Sequence, residues 1–146
     1  MRLAVVGGKL QGTEAVYLAR KAGYETVLVD RREATPAAGL ADRVVVLDVT
    51  RDAATSRAVL GGCDAVLPAC EDDATLAWLD ARVPGWGVPL LFDLAAYRVT
   101  SSKIDSNRLA AELGVPGPRP WPRGGLPAVV KPSSASGSEG VTVVGD

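Results

Sequence analysis

The sequence predicts an α/β fold built on a parallel, doubly wound sheet. Over residues 1–92, short apolar segments alternate with segments whose apolar residues recur at helical spacing. A glycine turn, Gly7-Gly8, joins the first strand segment to the first helical one, as in a βαβ unit. Hydrophobic residues make up 47% of the chain, which is enough to cover both faces of a buried sheet.

The predicted elements follow one another in a regular order. Strands are expected at residues 2–6, 26–30, 44–47, 64–68 and 88–92, and helices at 10–22, at 51–60 and within 69–85. Gly23 and Gly61-Gly62 stand where two of the helices should end. Residues 31–43 are polar and alanine-rich, so we expect a loop with a short helical turn.

The pattern changes near residue 98, so we predict two domains, 1–98 and 99–146. The serine-rich start of "SSKIDSNRLAAELG" predicts a helix that runs to Gly114, and a proline-rich connection follows it. The segment "AVVKPSSASGSEGVTVVGD" predicts two antiparallel strands around a Gly/Ser loop. One helix and one hairpin cannot close a core of their own, so we expect the N-terminal part of a longer protein.

Composition argues against several classes of protein. The net charge of −1 gives no sign of a nucleic-acid or membrane partner, and no apolar run approaches a membrane span. The N-terminus has no signal-peptide pattern. The chain has no histidine and only two cysteines, Cys63 and Cys70, too few for a disulfide framework. We therefore predict a cytoplasmic protein that acts on small molecules.

The turn from Gly7 to Gly12 has two interpretations. Its backbone N–H groups could bind an anion at the start of the next helix, or the turn could be only a tight connection. Lys9 favours an anion, because its ammonium would stand at the carboxyl ends of the strands, where such sheets bind ligands. Lys9 and Leu10 fill space that a dinucleotide pyrophosphate would need. Asp30 could bind a ribose or simply end its strand.

Two further groups of charged residues also have alternative explanations. Of the acids Glu71, Asp72 and Asp73, two can be explained by helix capping and by the helix dipole. Glu71 directly follows the fourth strand and could hold a substrate ammonium. Lys131 closes an apolar strand before the loop at 133–140, and a lysine in a buried strand needs a partner. That loop could wrap phosphates, or Lys131 could be an edge lysine before a linker.

These segments together resemble a known family. The order of an α/β domain, "SSK…NRLAAELGVPGP" and "VVKPSSASGSEGV" resembles a Rossmann-like pre-ATP-grasp domain followed by the incomplete start of an ATP-grasp domain. The segments "VVGGKLQGTEAVYLARKAGYETVLVDRR", "VLDVT", "VLPACED" and "LLFDLAAYRVTSSKIDSN" resemble the PylC family of pyrrolysine-biosynthesis ligases. That family joins 3-methyl-D-ornithine to the side-chain amine of L-lysine.

The resemblance implies a set of ligand contacts. Lys9 and Glu71 would hold the L-lysine substrate, and Ser138 would belong to a mobile substrate or phosphate loop with Ser136, Gly137 and Glu139. ATP would be contacted by Leu10, Gln11, Asp30, Asp48, Val49, Lys103 and Lys131. No catalytic residue and no metal ligand is expected within this chain, since the Mg²⁺ ligands would come from later sequence.

The chemistry implied by the resemblance is amide formation through an acyl phosphate, which needs charge neutralisation and positioning but no histidine. We do not expect this chain to turn over by itself, and the family suggests a homodimer. Three alternatives remain open at this point. They are another ATP-grasp carboxylate–amine ligase, a non-catalytic Rossmann nucleotide-binding module, and a structural fragment without a ligand.

Overall fold

The computed structural model describes residues 1–134 and 139–145. The chain divides into two compact units, Met1–Leu94 and Ala95–Asp146. The division falls between Leu94 and Ala95, whereas the boundary predicted from the sequence lies near residue 98. None of the helices in the described residues is long and apolar enough to cross a membrane.

The first unit alternates strands and helices. Its elements are β1 (Arg2–Val6), α1 (Leu10–Lys21), β2 (Glu25–Asp30), β3 (Arg43–Val46), α2 (Ala53–Leu60), β4 (Ala65–Pro68), α3 (Asp73–Arg82) and a short 3-10 turn (Pro84–Trp86). The four strands form a parallel sheet in the order β3-β2-β1-β4. This confirms the predicted α/β class with a parallel sheet.

The sheet is buried on both faces because alternate residues of each strand point to opposite sides. In β1, Leu3 and Val5 face one side and Ala4 and Val6 face the other, and all four are buried. Helix α1 packs on the Leu3 side through Val16 and Ala19. Helices α2 and α3 pack on the other side, each through a fully buried leucine (Leu60 and Leu79). Each such leucine contributes about 1.5–3 kcal/mol by leaving water.

The fifth strand predicted at residues 88–92 is wrong. Only an isolated parallel bridge forms there, between Val66 of β4 and Leu90. Val66 N donates to Pro89 O at 2.9 Å, and Leu91 N donates to Val66 O at 2.8 Å. Alternate residues of a strand face the same neighbour, so the next donor of β4 on this side would be Pro68. Proline has no N–H, which stops the ladder after one bridge.

The second unit holds α5 (Lys103–Glu112) and an antiparallel pair of strands, β5 (Ala128–Val130) and β6 (Thr142–Val144), and α4 (Leu94–Thr100) spans the division between the units. Ser102 caps α5, since its Oγ accepts from Asp105 N at 3.2 Å. The antiparallel pair was predicted, but α4 was not. The expectation of a buried strand before Lys131 is also wrong, because Val129 is 61% exposed. A two-stranded sheet has two faces to cover and cannot bury itself.

Candidate functional site

The candidate site begins at the turn after β1. Gly7 has φ +107°, a conformation that side chains disfavour, and its N–H donates to Val29 O of β2 at 2.8 Å. A Cβ at Gly7 would lie 2.7 Å from Ala69 O. A Cβ at Gly12 would collide with the carbonyl oxygen of Gly7. Positions 7 and 12 therefore require glycine, because the turn packs tightly between β2, the end of β4 and the first turn of α1.

Asp30 holds this turn from the end of β2. Its side chain is only 7% exposed, and its Oδ2 accepts from Gly8 N at 2.8 Å. Its Oδ1 accepts from Arg32 N at 2.9 Å and from Arg32 Nε at 3.1 Å. Burial by itself raises the pKa of Asp30, but the hydrogen bonds from Arg32 and Gly8 outweigh it and hold the pKa below its usual value. Asp30 is thus an ionised, buried anchor, and its contact with a nucleotide stays a prediction.

The first turn of α1 carries three predicted site residues. Lys9 and Leu10 are exposed, and Leu10 keeps 72% of its surface in water. The carbonyl of Lys9 accepts from both Thr13 N and Thr13 Oγ1 at 2.9 Å, which secures the start of the helix. The Nε2 of Gln11 donates to Glu71 Oε1 at 2.9 Å. The structure therefore joins two predicted site residues that the sequence places far apart.

The segment after β4 separates the roles of its acids. Asp72 caps α3 by accepting from Thr75 N at 2.8 Å, and hydrogen bonds from the Thr75 side chain and backbone lower the pKa of Asp72. Glu71 is exposed and receives the Gln11 amide. Cys70 is partly buried beside Gly7, and that burial raises the pKa of its thiol. Of the acids in this segment, Asp72 is held by its cap while Glu71 points its carboxylate to the α1 turn.

The segment after β3 supplies Asp48 and Val49. Asp48 Oδ1 accepts from Thr50 Oγ1 at 2.6 Å, and this bond is the main cause of a lowered pKa at Asp48. Arg51 Nε lies 3.4 Å from Asp48 Oδ2. Val49 is 3% exposed, and its carbonyl accepts from Ser56 Oγ at 3.0 Å. The side chain of Val49 belongs to the core, so only its backbone is available to a ligand.

Strand register brings these segments together. Val6 pairs with Val29 on one side and with Pro68 on the other, so β1 and β4 end level and β2 extends one residue further, to Asp30. We call the surface formed by residues 7–11, 30–32, 48–51 and 69–72 the carboxyl edge. The chain reverses its direction of winding between β1 and β4, and open α/β sheets bind ligands at such a crevice. The Gln11–Glu71 bond spans this crevice.

Sequence reasoning missed the two arginines that follow β2. Arg32 turns back onto Asp30, as described above. Arg31 is exposed and lies within electrostatic reach of Asp48, Cys70 and Asp72. The sequence signal that could have found Arg31 is its position directly after a strand. Successive side chains there point to opposite sides, so Arg31 and Arg32 have different surroundings. Arg31 therefore adds a cation to the carboxyl edge, together with Lys9.

The remaining predicted residues lie in the second unit. Lys103 opens α5, and its N–H donates to Ser133 O at 2.8 Å. Ser102 Oγ and Ser133 Oγ lie 3.4 Å apart. Lys131 is exposed just beyond β5. The start of α5 therefore lies next to the segment that follows Lys131. Ser136, Gly137 and Ser138 lie outside the described residues.

The described side chains do not form a magnesium site by themselves. Within residues 1–134 and 139–145, no group of three His, Cys, Asp or Glu side chains could hold a metal ion. Three acids of the carboxyl edge are instead engaged with backbone N–H groups, hydroxyls and arginines: Asp30, Asp48 and Asp72. No step that requires Mg²⁺ is therefore assigned to the described residues.

No protein-family model matches the chain. Among curated proteins, it is 36% identical over 144 residues to the 3-methyl-D-ornithine–L-lysine ligase of Methanosarcina barkeri and 32% identical to that of Methanosarcina mazei. Each match covers 99% of this chain but only 39% and 38% of the ligase. A formate-dependent phosphoribosylglycinamide formyltransferase of Maridesulfovibrio salexigens is 29% identical, over 98% of this chain and 39% of that enzyme.

Solved structures share the fold. An N5-carboxyaminoimidazole ribonucleotide synthetase from Thermus thermophilus matches with a TM-score of 0.74 at 21% identity, over 99% of this chain and 41% of that one. An ADP complex of a synthetase of the same name matches with a TM-score of 0.77 at 18% identity, with the same coverage. At these identities the likeness shows the fold alone. The resemblance stated from the sequence is confirmed: over 99% of its length the chain matches about two fifths of the 3-methyl-D-ornithine–L-lysine ligases, and it has the fold seen in N5-carboxyaminoimidazole ribonucleotide synthetases.

Proposed function

We propose that this chain is the N-terminal, substrate-binding part of an ATP-dependent ligase of pyrrolysine biosynthesis. That ligase would form an amide between 3-methyl-D-ornithine and the side-chain amine of L-lysine. The observation that carries the proposal is the 36% identity to the Methanosarcina barkeri ligase across 99% of this chain. The small-molecule ligands would be ATP and the two amino acids, and a homodimer remains a prediction.

The charges at the carboxyl edge suit a zwitterionic amino acid. Lys9 is a cation on one side of the crevice, and Glu71 is an exposed carboxylate on the other. We assign Lys9 to the α-carboxylate of L-lysine and Glu71 to one of its ammonium groups. A hydrogen bond to a charged group is worth about 1.5–3 kcal/mol, so two such contacts both hold and orient the substrate.

The nucleotide contacts follow from the family resemblance and remain proposals. In the first unit they would be made by Leu10, Asp30, Asp48 and the backbone of Val49, whereas Gln11, which the resemblance also implies, bonds Glu71. In the second unit, Lys103 and Lys131 would reach the phosphates or the adenine. The bond from Lys103 N to Ser133 O supports this, because it holds Lys103 beside the segment that follows Lys131. When bound, ATP would supply the phosphoryl group that activates the ornithine carboxylate as an acyl phosphate.

The test is ADP formation by the full-length protein. We expect ADP release to require D-ornithine or 3-methyl-D-ornithine together with L-lysine. Lys9→Met should raise the KM for L-lysine by about tenfold or more, since it removes a charged contact. Lys21→Met, at the exposed end of the same helix, is the matched control and should leave the KM unchanged. ADP release that ignores both amino acids would contradict the proposal.

A second candidate is another ATP-grasp carboxylate–amine ligase. The 29% identity to the formyltransferase of Maridesulfovibrio salexigens favours this alternative over a non-catalytic Rossmann module. ADP release with phosphoribosylglycinamide and formate, but not with the amino acids, would support it. Sub-micromolar binding of NAD with no ADP release would instead support the Rossmann module.

A further inference from the structure

The contact between Gln11 and Glu71 is a side-chain bond across 60 residues of sequence. It joins the first turn of α1, which follows β1, to the segment that follows β4. The bond therefore crosses the crevice where the winding of the sheet reverses. A hydrogen bond at this place links the two segments that line the candidate site, and so helps to fix the position of their side chains.

The backbones at both ends of this bond are held. The turn that carries Gln11 is packed against the Gly7 carbonyl through Gly12. On the other side, Ala69 N donates to Val6 O at 2.8 Å, and Asp72 caps α3. The exposed side chain of Glu71 is the part left able to rotate. The Gln11 amide restricts that rotation before a substrate arrives, so less rotamer freedom is lost on binding.

The chemistry of a glutamine suits this task. A carboxylate can accept about four hydrogen bonds, and the amide uses one at Oε1. Oε2 and the second lone pair of Oε1 remain for an ammonium, which donates up to three. The amide is neutral, so the full negative charge of Glu71 stays available. An arginine or lysine at position 11 would hold Glu71 equally well but would cancel the charge that attracts the substrate.

We propose that Gln11 is a positioning residue, which holds the Glu71 carboxylate for the ammonium group of the amino-acid substrate. The inference rests on the proposed function, in which Glu71 binds L-lysine. It differs from the nucleotide contact that the family resemblance implies for Gln11. The two roles predict different kinetic effects. Loss of a positioning residue changes the KM for L-lysine, whereas loss of a nucleotide contact changes the KM for ATP.

The experiment compares both KM values in the full-length protein. Gln11→Leu should raise the KM for L-lysine by about fivefold, because Glu71 keeps its charge but loses its fixed orientation, and leave kcat and the KM for ATP unchanged. Glu14→Gln, exposed on the same helix, is the control and should change neither. Thermal unfolding of Gln11→Leu should match the unmodified protein, because the bond is exposed. A changed KM for ATP with an unchanged KM for L-lysine would overturn the proposal.

A double-mutant cycle separates the inference from the function on which it rests. Glu71→Gln should raise the KM for L-lysine, and adding Gln11→Leu to it should have no further effect. Fully additive effects would overturn the positioning role while leaving the proposed function intact. If Glu71→Gln leaves the KM for L-lysine unchanged, the positioning role is overturned while the ligase function stands. If ADP release does not depend on L-lysine, both are overturned.

Discussion

The buried carboxylate of Asp30 accepts a hydrogen bond from the backbone N–H of Gly8, at 2.8 Å, and so ties the end of β2 to the turn after β1. Arg32 completes the arrangement with hydrogen bonds from its backbone and its guanidinium. The same turn carries Lys9 and Gln11 into the candidate site. The geometry of the candidate site therefore depends on Asp30, a charged residue that is buried under the turn.

Replacing Asp30 tests this anchor. Asp30→Asn removes the charge that accepts from Gly8 and Arg32, so the free energy of unfolding at pH 7 should fall by about 1–3 kcal/mol. Because the folded pKa of Asp30 is lowered, its contribution is present above the unfolded pKa, which is 3.8, and is lost as pH falls through the folded pKa. The deficit of Asp30→Asn should therefore shrink below about pH 4. Urea unfolding at pH 7 and pH 3 measures both, with Asp80→Asn as an exposed control.

The Gly7 turn gives a steric prediction. Gly7→Ala would require a positive φ and place a Cβ 2.7 Å from Ala69 O, so we expect a loss of stability of about 1–3 kcal/mol. Gly85→Ala is the matched control, because a Cβ there meets nothing within 4 Å. The melting temperatures of the two variants provide the comparison. Equal melting temperatures would show that the turn is less tightly packed than the structure indicates.

A buried hydroxyl gives a prediction of opposite sign. Thr35 Oγ1 is buried beside Gly8 and has no hydrogen-bond partner among the described residues. Thr35→Val should therefore stabilise the protein by about 1 kcal/mol. Thr26→Val should destabilise it, since Thr26 Oγ1 donates to Asp42 Oδ2 at 2.9 Å in a fully buried residue. Destabilisation by both substitutions in denaturant titrations would mean that the Thr35 hydroxyl has a partner in solution.

The two cysteines should react slowly with thiol reagents. Burial raises the pKa of Cys63 and of Cys70, so each carries less thiolate at pH 8 than an exposed cysteine would. Labelling with a chromogenic disulfide should be much slower in buffer than in denaturant. Fast labelling of one thiol in the native protein would contradict this and show that its segment opens. The variants Cys63→Ser and Cys70→Ser would identify the reactive thiol.

Prediction from the sequence succeeded where a short segment decides its own structure. The alternation of elements in residues 1–92, the capping of α3 by one of its neighbouring acids and the antiparallel pair β5–β6 all follow from local patterns. It failed at residues 88–92, where an apolar run looks like a strand. Whether such a run joins a sheet depends on its neighbour, and Pro68 of β4 cannot donate to it.

By itself, the sequence determined the fold class, the glycine turn and the acids and the lysine that follow the strands, because periodicity and turn chemistry act over a few residues. Only the tertiary structure decided how those residues pair: Asp30 with Gly8 and Arg32, and Gln11 with Glu71. The pairing depends on the strand order β3-β2-β1-β4, which brings together segments from distant parts of the chain. Contacts of that range follow from how the sheet assembles, and no local pattern encodes them.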